Sequence, residues 1–287
     1  MQYWLGVFCA LASAALYAGA VNIVPLAQAA GGSTLFYLAM RGTFNFCLTF
    51  APSPNSGGIL SFSPQPKHLL FLGGCVALQG YGYVQALHLL PISIATPLFF
   101  LFPIFTYLLH NVLKSQGLRL IPIVSLGASS IGVWLLAQGG DNPNETAHLL
   151  GIFWALSAAM AQAAVNLVLP RISGLDSWQL LRASYLPSFL IFAGYSLSQP
   201  LPEFTAWAWT ATSAAIFFIG SVLFLRAIRL LGAVRTSNVM YFEPVLSVLL
   251  SVLLHQDQLS IGKISAIVLI LGATIMLEKS SQQAQSP

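Results

Sequence analysis

The chain is a series of long apolar stretches cut at regular intervals by short polar breaks. These stretches predict helices over 3–26, 34–51, 68–89, 93–112, 118–138, 148–169, 177–198, 206–230, 234–254 and 260–278. Most are close to the roughly 20 residues that cross about 30 Å of hydrocarbon as a helix. None shows the short alternating segments of a membrane barrel. The breaks carry turn formers: Pro52, Pro54, Gly57 and Gly58 in one loop, Gly139, Gly140 and Pro143 at the midpoint, Pro200 and Pro202 in another. The expected fold is an all-α polytopic membrane protein of ten transmembrane helices.

The pattern repeats across the midpoint. Leu5-Gly6-Val7-Phe8-Cys9-Ala10-Leu11 returns as Leu150-Gly151-Ile152-Phe153-Trp154-Ala155-Leu156. Arg41 returns as Arg182 and Pro103 as Pro244, both at an offset of 141 residues. Two apolar copies around a central site are the signature of a membrane transporter. Five helices per copy is an odd number, so the second copy enters the membrane from the opposite side. The expected domains are therefore two inverted five-helix repeats, 1–140 and 146–279, with 280–287 a disordered cytoplasmic tail.

Composition agrees with this reading. Charged residues are 6% of the chain, against about 25% in a soluble domain. The net charge of +4 comes from bases in loops and at helix ends, so it reports topology and not nucleic-acid binding. Lys67, Lys114, Arg119, Arg171, Arg226, Arg229, Arg235 and Lys279 fall on the N-terminal side; only Lys263 falls on the other. By the positive-inside rule both termini are cytoplasmic, in a cell inner (plasma) membrane. Ala27-Gln28-Ala29 imitates a signal-peptidase site, but no basic segment precedes it, so a retained first helix is expected. Cys9, Cys47 and Cys75 lie in apolar runs without a CxxC spacing and read as packing residues.

The sequence resembles the drug/metabolite transporter superfamily, EamA type. The resemblance rests on the two five-helix repeats, an Arg in the second helix of each and a Pro in the fourth. It rests also on Tyr241-Phe242-Glu243-Pro244-Val245 with Leu249, Leu250, Gly272 and Ala273. It departs at the ends of helices four and nine, which read His110-Asn111-Val112 and His255-Gln256-Asp257 where the family often has an acid after a Gly. The resemblance implies an exporter of amino acids or metabolites.

The candidate site follows from polar groups placed where they are expensive. Glu243 is expected about halfway along helix nine, near the bilayer midplane, where a carboxylate needs a partner or a cavity. It precedes Pro244, which frees a carbonyl one turn back. Its readings are a ligand for a substrate ammonium, a proton carrier, or an internal partner for an arginine. Its repeat counterpart is Phe102, which would offer an aromatic wall. Tyr17 on helix one, Gln79 and Tyr83 on helix three, and Trp154, Gln162 and Asn166 on one face of helix six complete the expected substrate-binding set. Arg41 and Arg182, expected near opposite membrane faces, are read as gating residues. The histidines lie near predicted helix ends, with no metal-ligand spacing. No phosphate loop or nucleophile elbow occurs.

The function expected is a secondary transporter exporting amino acids or similar small polar metabolites by alternating access, in a lipid bilayer, driven by the substrate gradient or by protons. No enzyme activity, cofactor or nucleic-acid partner is expected. The alternatives are an efflux carrier for organic cations and, from another class, a non-transporting membrane scaffold subunit.

Overall fold

Backbone chemistry sets where each helix starts and stops. The structure, a computed structural model, describes residues 2–50, 66–113, 145–172, 177–198, 202–231, 242–256 and 259–283, with scattered positions in 124–135 and 236–240. Helix α1, Gln2–Ala29, ends where Gly31 takes φ +86° and donates to the Gln28 carbonyl at 3.0 Å. Ser33 then caps α2, Thr34–Leu48, accepting from the Phe36 amide at 3.1 Å. Helix α3, Pro66–Leu89, opens on a proline, which has no amide to leave unpaired in the first turn. There follow α4 (Ile92–Phe99), α5 (Phe102–Leu113), α6 (Glu145–Val168), α7 (Ser177–Ser196), α8 (Phe204–Leu231), α9 (Phe242–His255) and α10 (Ile261–Gln283). A short 3-10 turn, Leu169–Arg171, follows α6. The described residues contain helices and no strand.

Two boundaries differ from the sequence expectation. The helix predicted over 93–112 is two pieces, α4 and α5, stepped at Phe100 and Leu101. A proline at 103 has no amide to give the carbonyl four residues back, and Pro97 likewise has none to give the carbonyl of Ser93. The chain restarts when Ile104 and Phe105 donate to the Leu101 carbonyl at 3.0 and 3.2 Å. Helix α9 begins at Phe242, so Glu243 lies in its first turn and not halfway along a helix. Pro244 suits a first turn for the reason that it suits α3. The predicted helix 118–138, the midpoint loop with Asp141 and Pro143, and Lys114, Arg119, Arg235 and Asp257 lie outside the described residues, or almost wholly so.

Burial is inverted relative to a soluble protein. Phe8, Leu190, Ile219, Leu253 and Val268 are exposed, while Ser13, Asn22, Asn45, Thr210, Ser213 and Ser247 are buried. Among the described residues, Gln2–Ala29, His148–Val168, Phe204–Leu231 and the stepped run Ile92–Leu113 are long and apolar enough to cross a membrane. Water is scarce in such a setting, and several of the buried hydroxyls and amides find carbonyls on neighbouring helices. Ser13 donates to the Gly220 carbonyl and Ser213 to that of Ala20, both at 2.9 Å, which fastens α1 to α8. Asn22 donates to the Ser247 carbonyl at 3.1 Å, and His255 meets the Asn22 carbonyl at 2.9 Å, fastening α1 to α9.

Helix pairs recur when the first and second halves are exchanged. The α1–α8 contact maps onto α6–α3, α1–α9 onto α6 with α4 and α5, and α2–α8 onto α7–α3. The α2–α7 and α4–α9 contacts map onto themselves. The closest approaches recur too. A Cβ on Gly6 would lie 2.7 Å from the Leu231 side chain, and one on Gly151 would lie 2.5 Å from that of Leu90. Each joint sets the start of one helix against the end of another, at a distance only glycine allows.

Candidate functional site

Helical periodicity brings one face of each of several helices to a common void. On α7, Leu181, Ser184, Tyr185 and Ser188 follow the i, i+3, i+4, i+7 spacing of a single face. On α8, Phe217, Ser221 and Phe224 do the same, and α2 contributes Leu38, Arg41 and Gly42. Tyr17 reaches in from α1, Gln79 and Gly80 from α3, and Val165 from α6. Together they enclose a cavity of about 160 Å³ between helices of both halves. An engineered void of about 150 Å³ accommodates benzene, so the space suits a ligand of several heavy atoms.

Three hydroxyls make the cavity's floor. Ser221 donates to the Phe217 carbonyl at 2.9 Å, one helical turn back. Its proton is therefore committed, and it can only accept from neighbours. Tyr17 donates to Ser221 at 3.1 Å, and the Tyr185 hydroxyl lies 3.1 Å from the same oxygen. Both phenols thus donate inward to Ser221, which leaves oxygen lone pairs on Tyr17 and Tyr185 for any other group. The Tyr17 ring rests on Phe217 at 4.8 Å between centroids.

Arg41 is the cation of the cavity. Its guanidinium carbon sits 4.4 Å from the centre of the Phe217 ring and 5.9 Å from that of Tyr37. The ring faces attract its charge but present no lone pair to its N–H groups. Gly80 leaves room for it: a Cβ there would come within 3.0 Å of Nη2. Arg182, the repeat counterpart, is used otherwise. It is buried, donates from Nη2 to the Thr49 carbonyl at 2.9 Å, and packs on the Phe50 ring at 4.4 Å. It therefore closes the C-terminal end of α2, where orphan carbonyls need a donor. Thr49 helps by donating its hydroxyl to the Phe46 carbonyl at 2.6 Å.

Of the residues singled out from sequence, Tyr17, Gln79 and Arg41 line the cavity. Glu243 does not line it. It is buried in the first turn of α9, where the helix dipole favours a carboxylate, within electrostatic reach of Tyr17 and Tyr83. Tyr83 bonds Thr96 at 2.9 Å and stacks on Phe99 at 4.6 Å. Phe102 packs on Phe99 and Phe100 at the α4–α5 step. Trp154, Gln162 and Asn166 face α3 and α5. Trp154 meets Tyr81 edge-on at 5.1 Å, Gln162 donates to Asn166 at 3.0 Å, and Asn166 reaches Thr106 at 3.4 Å. Ser184, Tyr185, Ser188, Phe217 and Ser221 are lining residues that the sequence reading passed over. Their i+3 and i+4 spacing on helices seven and eight was the available signal.

Comparison with known proteins adds a family. Residues 149–278 match the family described as the EamA-like transporter family, which bears out the resemblance seen in the sequence. None of the curated proteins compared matches the chain. A crystal structure described only as that of a protein is similar in fold, with a TM-score of 0.61 at 18% identity, over 98% of this chain and 99% of that one. The chain is thus similar to membrane transporters of the drug/metabolite type, and its apolar helices fit an integral membrane protein.

Proposed function

We propose that this chain, whose second half matches the EamA-like transporter family, is a secondary transporter that exports amino acids or similar small polar metabolites by alternating access. The cavity carries the reading. It joins helices of both halves, and it sets a cation, phenols and an amide inside a bundle whose outer surface is apolar. Polar groups at that depth are costly and mark a ligand path. The moving parts are two inverted five-helix repeats, 1–140 and 146–279, in a protein of ten transmembrane helices. The recurring helix pairs and the paired joints at Gly6 and Gly151 support that arrangement. The driving force is the substrate's own gradient or protons, and in the second case Glu243 carries the proton.

The organic-cation reading stands second, because no carboxylate among the described residues lines the cavity. A scaffold subunit would have no use for the polar lining. The direct test is counterflow in liposomes holding the purified protein, with labelled amino acids of graded size. Saturable uptake against an internal pool is expected; its absence across the panel, with organic cations exchanged instead, would move the cation reading to first place.

Orientation in an inner (plasma) membrane, with both termini cytoplasmic, rests on the eight-to-one split of Lys and Arg between the two sides. A reporter active only in the cytoplasm should work when fused after Pro287. A reporter active only outside should work when inserted at Asp141. Reversal at both sites would overturn the orientation, and reporters showing both sites on the same side would end the inverted arrangement.

A further inference from the structure

The polar groups of the cavity divide by what they still lack. Among the described residues Arg41 rests on the Phe217 and Tyr37 rings, beside Gly80 and within electrostatic reach of the Tyr185 hydroxyl, and its N–H groups make no hydrogen bond to a carboxylate or carbonyl. The Gln79 amide and the Ser188 hydroxyl line the same cavity, also without a protein partner among the described residues. By contrast Arg182 has its carbonyl, and the donors of Tyr17, Tyr185 and Ser221 are taken. A guanidinium inside an apolar bundle is costly unless an anion or water meets it. Its planar fork of N–H groups fits a carboxylate in a bidentate pair, while its charge rests on Phe217.

We infer that Arg41 is the anchor for a carboxylate, and that the site recognises its ligand by that anion and not by an ammonium. The inference rests on the carrier reading above and specifies its site. The carboxylate lies on Arg41, and a short apolar tail lies against Phe192 and Phe217. A donor on the second carbon, an amine or a hydroxyl, faces the spare lone pairs of Tyr17 and Tyr185. Amino acids, 2-hydroxy acids and simple carboxylates of several heavy atoms are therefore all ligands, in falling order. Amines and amides that lack the carboxylate are not. Glu243 does not line the cavity, but its charge acts on Tyr17, so it influences the amine side without touching the ligand. Gly80 is a positioning residue: a methyl group there presses on Nη2 and displaces the fork without removing its charge.

The test is equilibrium binding to the purified full chain in nanodiscs, with a matched set: 2-aminobutyrate, 2-hydroxybutyrate, butyrate, 2-aminobutyramide and butylamine. The three carboxylates should bind, and the two compounds without one should bind at least about tenfold more weakly. Arg41→Gln should abolish that preference. Arg41→Lys should keep part of it, since a point charge attracts the anion without matching its shape. Gly80→Ala keeps the charge and covers the case in which Arg41→Gln does not fold; it should weaken the carboxylates and leave the weak binding of butylamine unchanged. Binding of butylamine or the amide as tight as that of the carboxylates would overturn the inference. So would binding of no carboxylate, or an undiminished preference in folded Arg41→Gln. Carboxylate binding as expected, with no counterflow in liposomes, would instead overturn the carrier reading and leave the anchor in place.

Discussion

Replacing Glu243 with Gln is expected to cut transport at least about tenfold while the protein still inserts and folds. The exchange keeps the shape and most of the hydrogen-bonding capacity of the side chain and removes only its charge. Glu243 is 8% exposed and sits in the first turn of α9, and its charge acts on two tyrosines, one of which lines the cavity. A charge in that position influences both the ligand's amine side and any proton that travels with it. At an effective dielectric of about 20, two unit charges roughly 10 Å apart interact by about 1.7 kcal/mol, hence the tenfold floor. The measurement is counterflow in liposomes, normalised to the folded protein found by size-exclusion chromatography. Transport at the rate of the parent protein would make Glu243 a structural residue only. A rate that falls together with the folded fraction would say the same.

Arg182→Ala is expected to loosen the C-terminal end of α2. The substitution removes the donor to the Thr49 carbonyl and the cation on the Phe50 ring, and leaves a void where a buried side chain was. At about 1.5–3 kcal/mol for a charged hydrogen bond, the opened state should gain roughly tenfold to a hundredfold in population. Asn45 is a suitable reporter, being fully buried one turn before Thr49. A cysteine placed there, with Cys9, Cys47 and Cys75 replaced by Ser, should react with a thiol reagent faster by that factor when Arg182 is absent. Unchanged labelling would mean that Arg182 has no part in holding this end closed. The same probe in Arg41→Gln should report little change, because Arg41 faces the cavity and holds no helix end.

Much of the fold was legible because hydrocarbon is an undemanding solvent for sequence reading. Length and apolarity alone predict α1, α3, α6, α7 and α8 to within a few residues. The step at Phe100 was legible in principle from prolines at 97 and 103, six residues apart, but hydropathy does not register a lost amide. The site was harder. Arg41, Gln79 and Tyr17 stand out because they are costly in lipid. Ser184, Ser188 and Ser221 do not, since a serine in a helix can satisfy itself on the carbonyl four residues back, as Ser184 and Ser221 do. Such residues cost little wherever they point, so their presence in a sequence carries no direction. Trp154, Gln162 and Asn166 show the reverse case. Their four-residue spacing gave one shared face, and that face meets α3 and α5, where neighbouring polar groups satisfy it. Spacing tells which residues look the same way; what they look at depends on the helices beside them.

The two related arginines have a kinetic consequence. One is fastened to a carbonyl and the other rests on aromatic rings, so the two halves of the proposed carrier have unequal contents. The inward- and outward-facing forms of an empty carrier then differ in free energy, and the resting population lies mostly on one side. Such a bias cannot drive net flow, since a passive cycle at equal concentrations obeys detailed balance. It separates the concentrations at which the two faces reach half-saturation. The face that the empty carrier prefers saturates at the higher concentration, because the empty carrier returns to it quickly, and its maximal rate is higher in compensation. Initial rates measured from both sides of the same liposomes would therefore give two half-saturation values with a common ratio of maximal rate to half-saturation for a substrate moved without a coupling ion.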